Sequence, residues 1–148
     1  MGILNKDKKT ERGGSMFGKD GKLVENDIGF LMEDLKLCEN LVTLETHAFD
    51  SYSSTKNDYF LNVGKTCREI RTKYLKKIAK GTEGQVWCMS KHICEVLIRI
   101  QELTTRAMSE GDIDSAKDMA GDSQIFTEMF LMLNGYSEEN IKMDTSEA

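Results

Sequence analysis

Residues 86–108 are the longest strongly periodic stretch of the chain, and they include its only tryptophan. At about 100° per residue, the apolar side chains of this stretch cover well over half of a helix circumference. The pattern predicts a central helix against which the rest of the chain packs. The remaining surface is one narrow polar strip, whose members follow each other in alternating steps of four and three residues: Cys88, His92, Glu95, Arg99, Glu102 and Arg106.

The absence of proline from all 148 residues favours long helices, because no position interrupts the backbone hydrogen bonding. Apolar periodicity predicts three further helices, near residues 26–51, 57–80 and 113–133. At 39% apolar content the chain can bury a single sizeable core, and short connections make neighbouring helices antiparallel. We therefore expect an all-α fold, an antiparallel up-down-up-down four-helix bundle spanning residues 26–136.

Both ends of the chain differ in composition from the predicted bundle. Residues 1–25 are rich in glycine and lysine and predict a flexible basic arm. A small hairpin is the alternative for part of this arm, because turn-forming residues separate Phe17 from Leu23. Residues 137–148 are polar and carry an excess of acidic side chains, so we expect a short frayed tail.

Composition also bears on the location of the protein. No stretch approaches the roughly 18 consecutive apolar residues of a membrane span, and the first residues lack the apolar core of a signal peptide. The four cysteines, at positions 38, 67, 88 and 94, have no CxxC spacing, which fits reduced thiols better than a disulfide framework. We expect a cytoplasmic protein with no membrane span.

Two charged residues fall within predicted apolar arcs. Glu45 lies in the apolar arc of the first predicted helix, and Arg71 lies in that of the second. An unpaired buried charge costs several kcal/mol, so two buried charges should face each other or share a ligand. Three interpretations stay open at this point: a structural ion pair, side chains that reach solvent at the bundle edge, and a polar pocket in the core of the kind that holds cofactors.

The polar strip of the central helix suggests a metal site as a second hypothesis. Cys88, His92 and Glu95 are four and three residues apart, so one metal ion would reach all three from one helix face. Glu45 would complete a mononuclear transition-metal site. Opposite charges four residues apart, Glu95 with Arg99 and Glu102 with Arg106, instead indicate an exposed face with salt bridges, which we favour.

The second predicted helix carries a basic face that consists of Lys65, Lys73, Lys76, Lys77 and Lys80. Such a face suits acidic protein surface or the phosphate backbone of a nucleic acid. The sequence pI of about 5.1 and the lack of interleaved aromatic residues argue against the nucleic-acid interpretation.

The fourth predicted helix places Ile125, Met129 and Met132 away from its core side. Methionine is common on adaptable binding surfaces, so these residues predict an apolar patch for a partner. The alternative is a helix break near Gly121, which would rotate the patch into the core.

The sequence contains no nucleophile elbow and no phosphate-binding glycine loop, which argues against a hydrolase and leaves no residue with an evident catalytic role. We expect a small protein that acts by protein–protein interaction, as an adaptor, a regulatory protein or an accessory subunit, with another protein or a second copy of itself as partner. No cofactor is expected. A transition-metal or cofactor site in the core and phosphate-backbone binding through the basic face are the alternatives.

Overall fold

The computed structural model describes residues 15–20, 22–23 and 28–136, and this part of the chain contains four helices. They are α1 (Ile28–Thr55), α2 (Asp58–Ile78), α3 (Gly84–Ser109) and α4 (Ile113–Leu133). No β-strand occurs among the described residues, which include only an isolated bridge between Phe17 and Leu23. The predicted all-α four-helix bundle is confirmed.

The bundle consists of two antiparallel hairpins, α1–α2 and α3–α4, and α1 also packs against α3. Each hairpin has a connection of only a few residues, so its two helices must run side by side in opposite directions. The first hairpin is tightly packed, since a Cβ atom added at Gly64 would lie 2.6 Å from Cε1 of Phe49. Only glycine allows α1 and α2 to approach this closely.

Polar caps define where the helices begin and end. The Asn57 side chain accepts the backbone N–H of Tyr59 at 3.0 Å and starts α2, and Asp112 accepts the N–H of Ser115 at 3.1 Å and starts α4. Helix α1 continues to Thr55, past its predicted end near residue 51. The hydroxyls of its last polar residues donate to carbonyls one turn back, so the polar run extends the helix instead of forming a loop.

Helices α1 and α3 each pack against two others: α1 against α2 and α3, and α3 against α4 and α1. Near its two ends α3 leaves Met89, Leu103 and Met108 exposed. Apolar content therefore overstated the burial of α3. The core combines side chains from all four helices: Leu31, Leu35, Cys38, Val42, Leu75, Ile78, Ile93, Cys94, Leu97 and Phe130.

The described part of the predicted flexible arm is packed against the bundle. Met16 is buried, and its backbone N–H donates to the carbonyl of Lys77 at 2.8 Å. The Phe17 ring lies 5.4 Å from that of Tyr136. Two apolar side chains thus order a segment that its glycine and lysine content marked as flexible. The rest of the predicted arm and the predicted tail, residues 137–148, lie outside the described residues.

One buried amide joins three of the helices near the ends of α2 and α4. Asn134 is fully buried, and its Oδ1 accepts the backbone N–H of Lys80 at 2.9 Å. Its Nδ2 donates to Ser90 Oγ on α3 and to the carbonyl of Phe130 on α4, both at 2.9 Å. Beside it, the hydroxyl of Tyr136 donates to the carbonyl of Ile78 at 2.7 Å. This polar junction fixes how the two hairpins meet.

No helix in the described part of the chain combines the length and the apolar character that crossing a membrane requires.

Replacing Asn134 with alanine should lower the free energy of unfolding by about 2–3 kcal/mol, because the Lys80 N–H and the Ser90 hydroxyl would lose a hydrogen-bond partner. Urea unfolding of the two proteins measures this difference. Asn62→Ala is the matched control, since Asn62 is exposed on α2, and it should change stability by less than about 0.5 kcal/mol. An equal effect of the two substitutions would contradict the junction assigned to Asn134.

Candidate functional site

The two charges predicted in apolar arcs face each other across the first hairpin. Arg71 Nε donates to Glu45 Oε2 at 3.2 Å, and the side chains are 5% and 16% exposed. The carboxylate from α1 and the guanidinium from α2 therefore neutralise each other where little water reaches them. Chemically, this is the geometry of an ion pair between neighbouring helices, in which the guanidinium engages Glu45 Oε2.

The residues of the predicted metal set are not brought together. His92 and Glu95 are neighbours on α3, with Nδ1 and Oε2 3.7 Å apart, but their side chains are 65% and 46% exposed. Cys88 is exposed on the same helix, whereas Glu45 is engaged by Arg71. Within the described ranges, no group of three or more His, Cys, Asp or Glu side chains is placed to hold a metal ion. The transition-metal hypothesis stays a prediction.

The basic face lies on the outside of α2. Lys65, Lys73 and Lys76 are exposed on α2 and Lys77 is half-buried, whereas Lys80 is exposed just after the helix ends at Ile78. The ammonium groups of Lys73 and Lys77 lie 4.9 and 4.6 Å from the ring centroid of Tyr74, which places two cations on one aromatic ring. Part of this positive charge is therefore held against the protein's own surface.

The three outward-facing residues of α4 form an exposed apolar stripe. Ile125, Met129 and Met132 are 50%, 44% and 77% exposed. Helix α4 runs unbroken through Gly121, so the break that would have buried these residues does not occur. We refer to these three residues as the α4 stripe.

Two buried carboxylates on α1 were missed by sequence reasoning. Asp34 and Glu39 are both buried, and three of their oxygens, Asp34 Oδ2 and both Glu39 Oε atoms, have no hydrogen-bond partner among the described residues. A sequence signal existed: they belong to a run of positions spaced three and four apart that is buried throughout, Leu31, Asp34, Leu35, Cys38, Glu39 and Val42. This spacing is that of a wide buried helix face, and it follows from the contacts of α1 with two neighbours.

Burial is the main cause of the raised pKa values of these two carboxyl groups and of two nearby thiols. It raises the pKa values of the Asp34 and Glu39 carboxyls above their ordinary range, and nearby Lys77 and Lys36 offset part of each shift. Desolvation also raises the pKa of the Cys38 thiol to about 12 and raises that of the Cys94 thiol. Both thiols are therefore protonated at neutral pH, which makes them poor nucleophiles.

A groove between α1 and α3 was also not foreseen. It has a volume of about 320 Å³, an apolar floor that includes Val42 and Ile100, and polar walls that include Thr46, Glu95 and Arg99. A neighbouring depression of about 240 Å³ shares Arg99 and adds His47, Asp50 and Glu102. The polar strip of α3 thus lines the space between the hairpins in part, instead of facing only open solvent.

Comparisons with family models, with curated proteins and with solved structures find no match to this chain.

Removing one member of the ion pair should be costly. Glu45→Leu leaves Arg71 buried without a partner, and we expect it to lower the free energy of unfolding by about 3 kcal/mol. The double variant Glu45→Leu/Arg71→Met replaces both charges with apolar groups and should recover most of that loss.

Urea unfolding of the single and double variants tests the ion pair as a double-mutant cycle. Glu95→Gln serves as the control, because it breaks an exposed pair with His92 and should change stability by less than about 1 kcal/mol. Additive effects of the Glu45 and Arg71 substitutions would contradict a structural role for their contact.

Proposed function

We propose that this protein acts by protein–protein interaction, as an adaptor, a regulatory protein or an accessory subunit, and that its partner binds the α4 stripe. The observation that carries the proposal is the exposure of three large apolar side chains, Ile125, Met129 and Met132, along one face of a single helix. Their spacing of four and three residues aligns them along the helix axis.

The α4 stripe stands opposite the core face of the same helix. Ala116 and Phe130 are buried on that core face, and Phe126 packs against the core. The bundle therefore uses one side of α4 for its own stability, and the second apolar side is available to a partner. Two of the three residues are methionines, whose flexible thioether side chains fit partner surfaces of varied shape.

The chemistry of the stripe defines the partner. Its apolar side chains would enter a hydrophobic groove or lie along the apolar face of a partner helix. Glu128, which is exposed on the same helix, would belong to the polar rim that surrounds the buried part of an interface.

The alternative functions have less support. A metal or cofactor site in the core would need a polar ligand set, and Glu45, its main candidate, already pairs with Arg71. Phosphate-backbone binding through the basic face of α2 would act against a formal net charge of −5 and would use lysines that partly contact Tyr74. Among the described residues, no group of side chains supports a catalytic role as well as the α4 stripe supports binding.

We also propose the cytoplasm as the location of the protein. All four cysteines are free thiols, and Cys38, Cys67 and Cys94 are buried. Free thiols persist in reducing compartments, whereas oxidising compartments favour disulfides.

A photo-crosslinking amino acid placed at Met132 tests the interaction. In cells that express the full chain, it should form discrete adducts with one or a few proteins, whereas the same amino acid at Glu128 should form far fewer. Met129→Glu combined with the crosslinker at Met132 should reduce the adduct yield by about tenfold or more, because a charge would enter the apolar centre of the interface.

Two controls separate binding from folding in this experiment. Met129→Glu should leave the urea unfolding midpoint almost unchanged, because Met129 is exposed, and Glu128→Gln should leave the adduct yield unchanged. Equal adducts from positions 128 and 132, or an adduct that Met129→Glu does not reduce, would refute the proposed surface.

A further inference from the structure

The Glu39 side chain is the least well satisfied charged group in the described part of the fold. It is 1% exposed, and neither of its carboxylate oxygens has a hydrogen-bond partner among the described residues. The nearest cation is Lys36 Nζ, 3.6 Å from Oε2, and the Lys36 side chain is mostly exposed. Water therefore competes with Glu39 for the exposed Lys36 ammonium group, whereas the guanidinium group that pairs with Glu45 is buried.

Glu39 lies where the two hairpins meet. Its charge acts on Cys94 of α3 as well as on Cys38 of its own helix. Neighbouring residues of α1, Lys36 and Asn40, line a depression whose other walls come from α3 and α4. Helix α1 packs against α3, and Thr43, one turn after Glu39, lines the groove between these two helices. Glu39 therefore lies on the side of α1 that faces the other hairpin.

Separation of α1 from α3 at this place would give Glu39 access to water. A carboxylate in contact with water recovers the hydration free energy that it lacks when buried. The ionised form therefore favours the separated arrangement, whereas the protonated form tolerates the closed one. Burial correspondingly raises the pKa of Glu39 in the closed fold.

We propose that Glu39 makes the α1–α3 contact pH-sensitive: ionisation of its carboxyl group loosens this contact and lets α1 and α3 move apart there, while the hairpins stay joined at Asn134. This inference is independent of the partner surface proposed on α4.

The direction of the pH effect follows from proton linkage. In the open form, Glu39 reaches water and has an ordinary pKa near 4.5, while the closed form holds its proton more tightly. Opening therefore becomes easier as the pH rises above about 4.5. The equilibrium constant for opening grows by at most tenfold per pH unit, because one proton is linked to it, and it levels off above the raised pKa.

The other titratable groups at this place are few. Lys36 acts on Glu39, and Glu39 acts on Cys38 of α1 and on Cys94 of α3. Arg71 on α2 acts on both thiols, Asp34 acts on Cys38, and Glu95 acts on Cys94. Asp34 is the second buried carboxyl of α1, and it acts on Tyr136 near the Asn134 junction. Asp34 therefore provides a matched control at a different contact.

The native cysteines report the opening without added labels. Cys94 is fully buried beside the α1–α3 contact, Cys88 is exposed on the same helix, and Cys67 is buried on α2. We would label the full chain briefly with a thiol reagent between pH 5 and pH 8 and measure each cysteine by peptide mass spectrometry. Dividing the Cys94 rate by the Cys88 rate removes the intrinsic pH dependence of thiol labelling.

The expected result is a Cys94 to Cys88 ratio that rises with pH, by up to about tenfold per pH unit. A ratio independent of pH would overturn the proposal. Protection of Cys94 equal to the free energy of unfolding from urea titration at each pH would also overturn it, because Cys94 would then be reached only by global unfolding.

Two substitutions assign the effect to Glu39. Glu39→Gln mimics the protonated side chain and should flatten the pH dependence, and Glu39→Met should do the same without a polar group that needs a partner. Asp34→Asn should leave the rise with pH intact. Retention of the full pH dependence in both Glu39 variants, or its loss in Asp34→Asn, would assign the effect to another group and refute the proposal.

Discussion

The amide of Asn134 sets the relation between the two hairpins on which the rest of the structure depends. It accepts a backbone N–H that follows α2 and donates to Ser90 on α3 and to a carbonyl within α4. An apolar contact tolerates small displacements, but a fully buried amide must meet all its partners at once. The Tyr136 hydroxyl and Met16 reinforce the same place through Ile78 and Lys77. The hairpins are therefore held firmly where α2 and α4 end.

Helix α1 shows two solutions to burying an acidic side chain. Glu45 lies between α1 and α2, where Arg71 is even less accessible to water and supplies a matching charge. Glu39 lies toward α3, and the cation within 4 Å of it among the described residues, Lys36, belongs to its own helix and is largely hydrated. The first arrangement makes the α1–α2 hairpin costly to open. The second makes the α1–α3 contact the place where the fold yields first, which agrees with the grooves found between the hairpins.

The exposed faces of α2, α3 and α4 differ in their chemistry. The polar strip of α3 pairs charges at its own surface, as in the contact of Glu102 with Arg99. The basic face of α2 packs two of its lysines against Tyr74. The α4 stripe differs from both, because apolar side chains gain nothing from water. This contrast supports a binding role for α4 in preference to the other exposed faces.

The sequence by itself determined the features that depend on neighbouring residues. The period of apolar residues predicted four helices, Asn57 and Asp112 start two of them as their capping preference indicates, and the two charges within apolar arcs, Glu45 and Arg71, meet. The α4 stripe is exposed as its position on a regular helix predicts.

Only the tertiary structure decided how many neighbours each helix has. Because α1 contacts both α2 and α3, its buried face widens to include Asp34 and Glu39, and α3, which also has two neighbours, leaves some of its apolar side chains exposed outside those contacts. Packing between distant parts of the chain also buries Met16 in the core, and it places Ser90 and the Lys80 N–H within hydrogen-bond distance of Asn134. Periodicity describes one helix at a time, but burial depends on which surfaces distant parts of the chain cover.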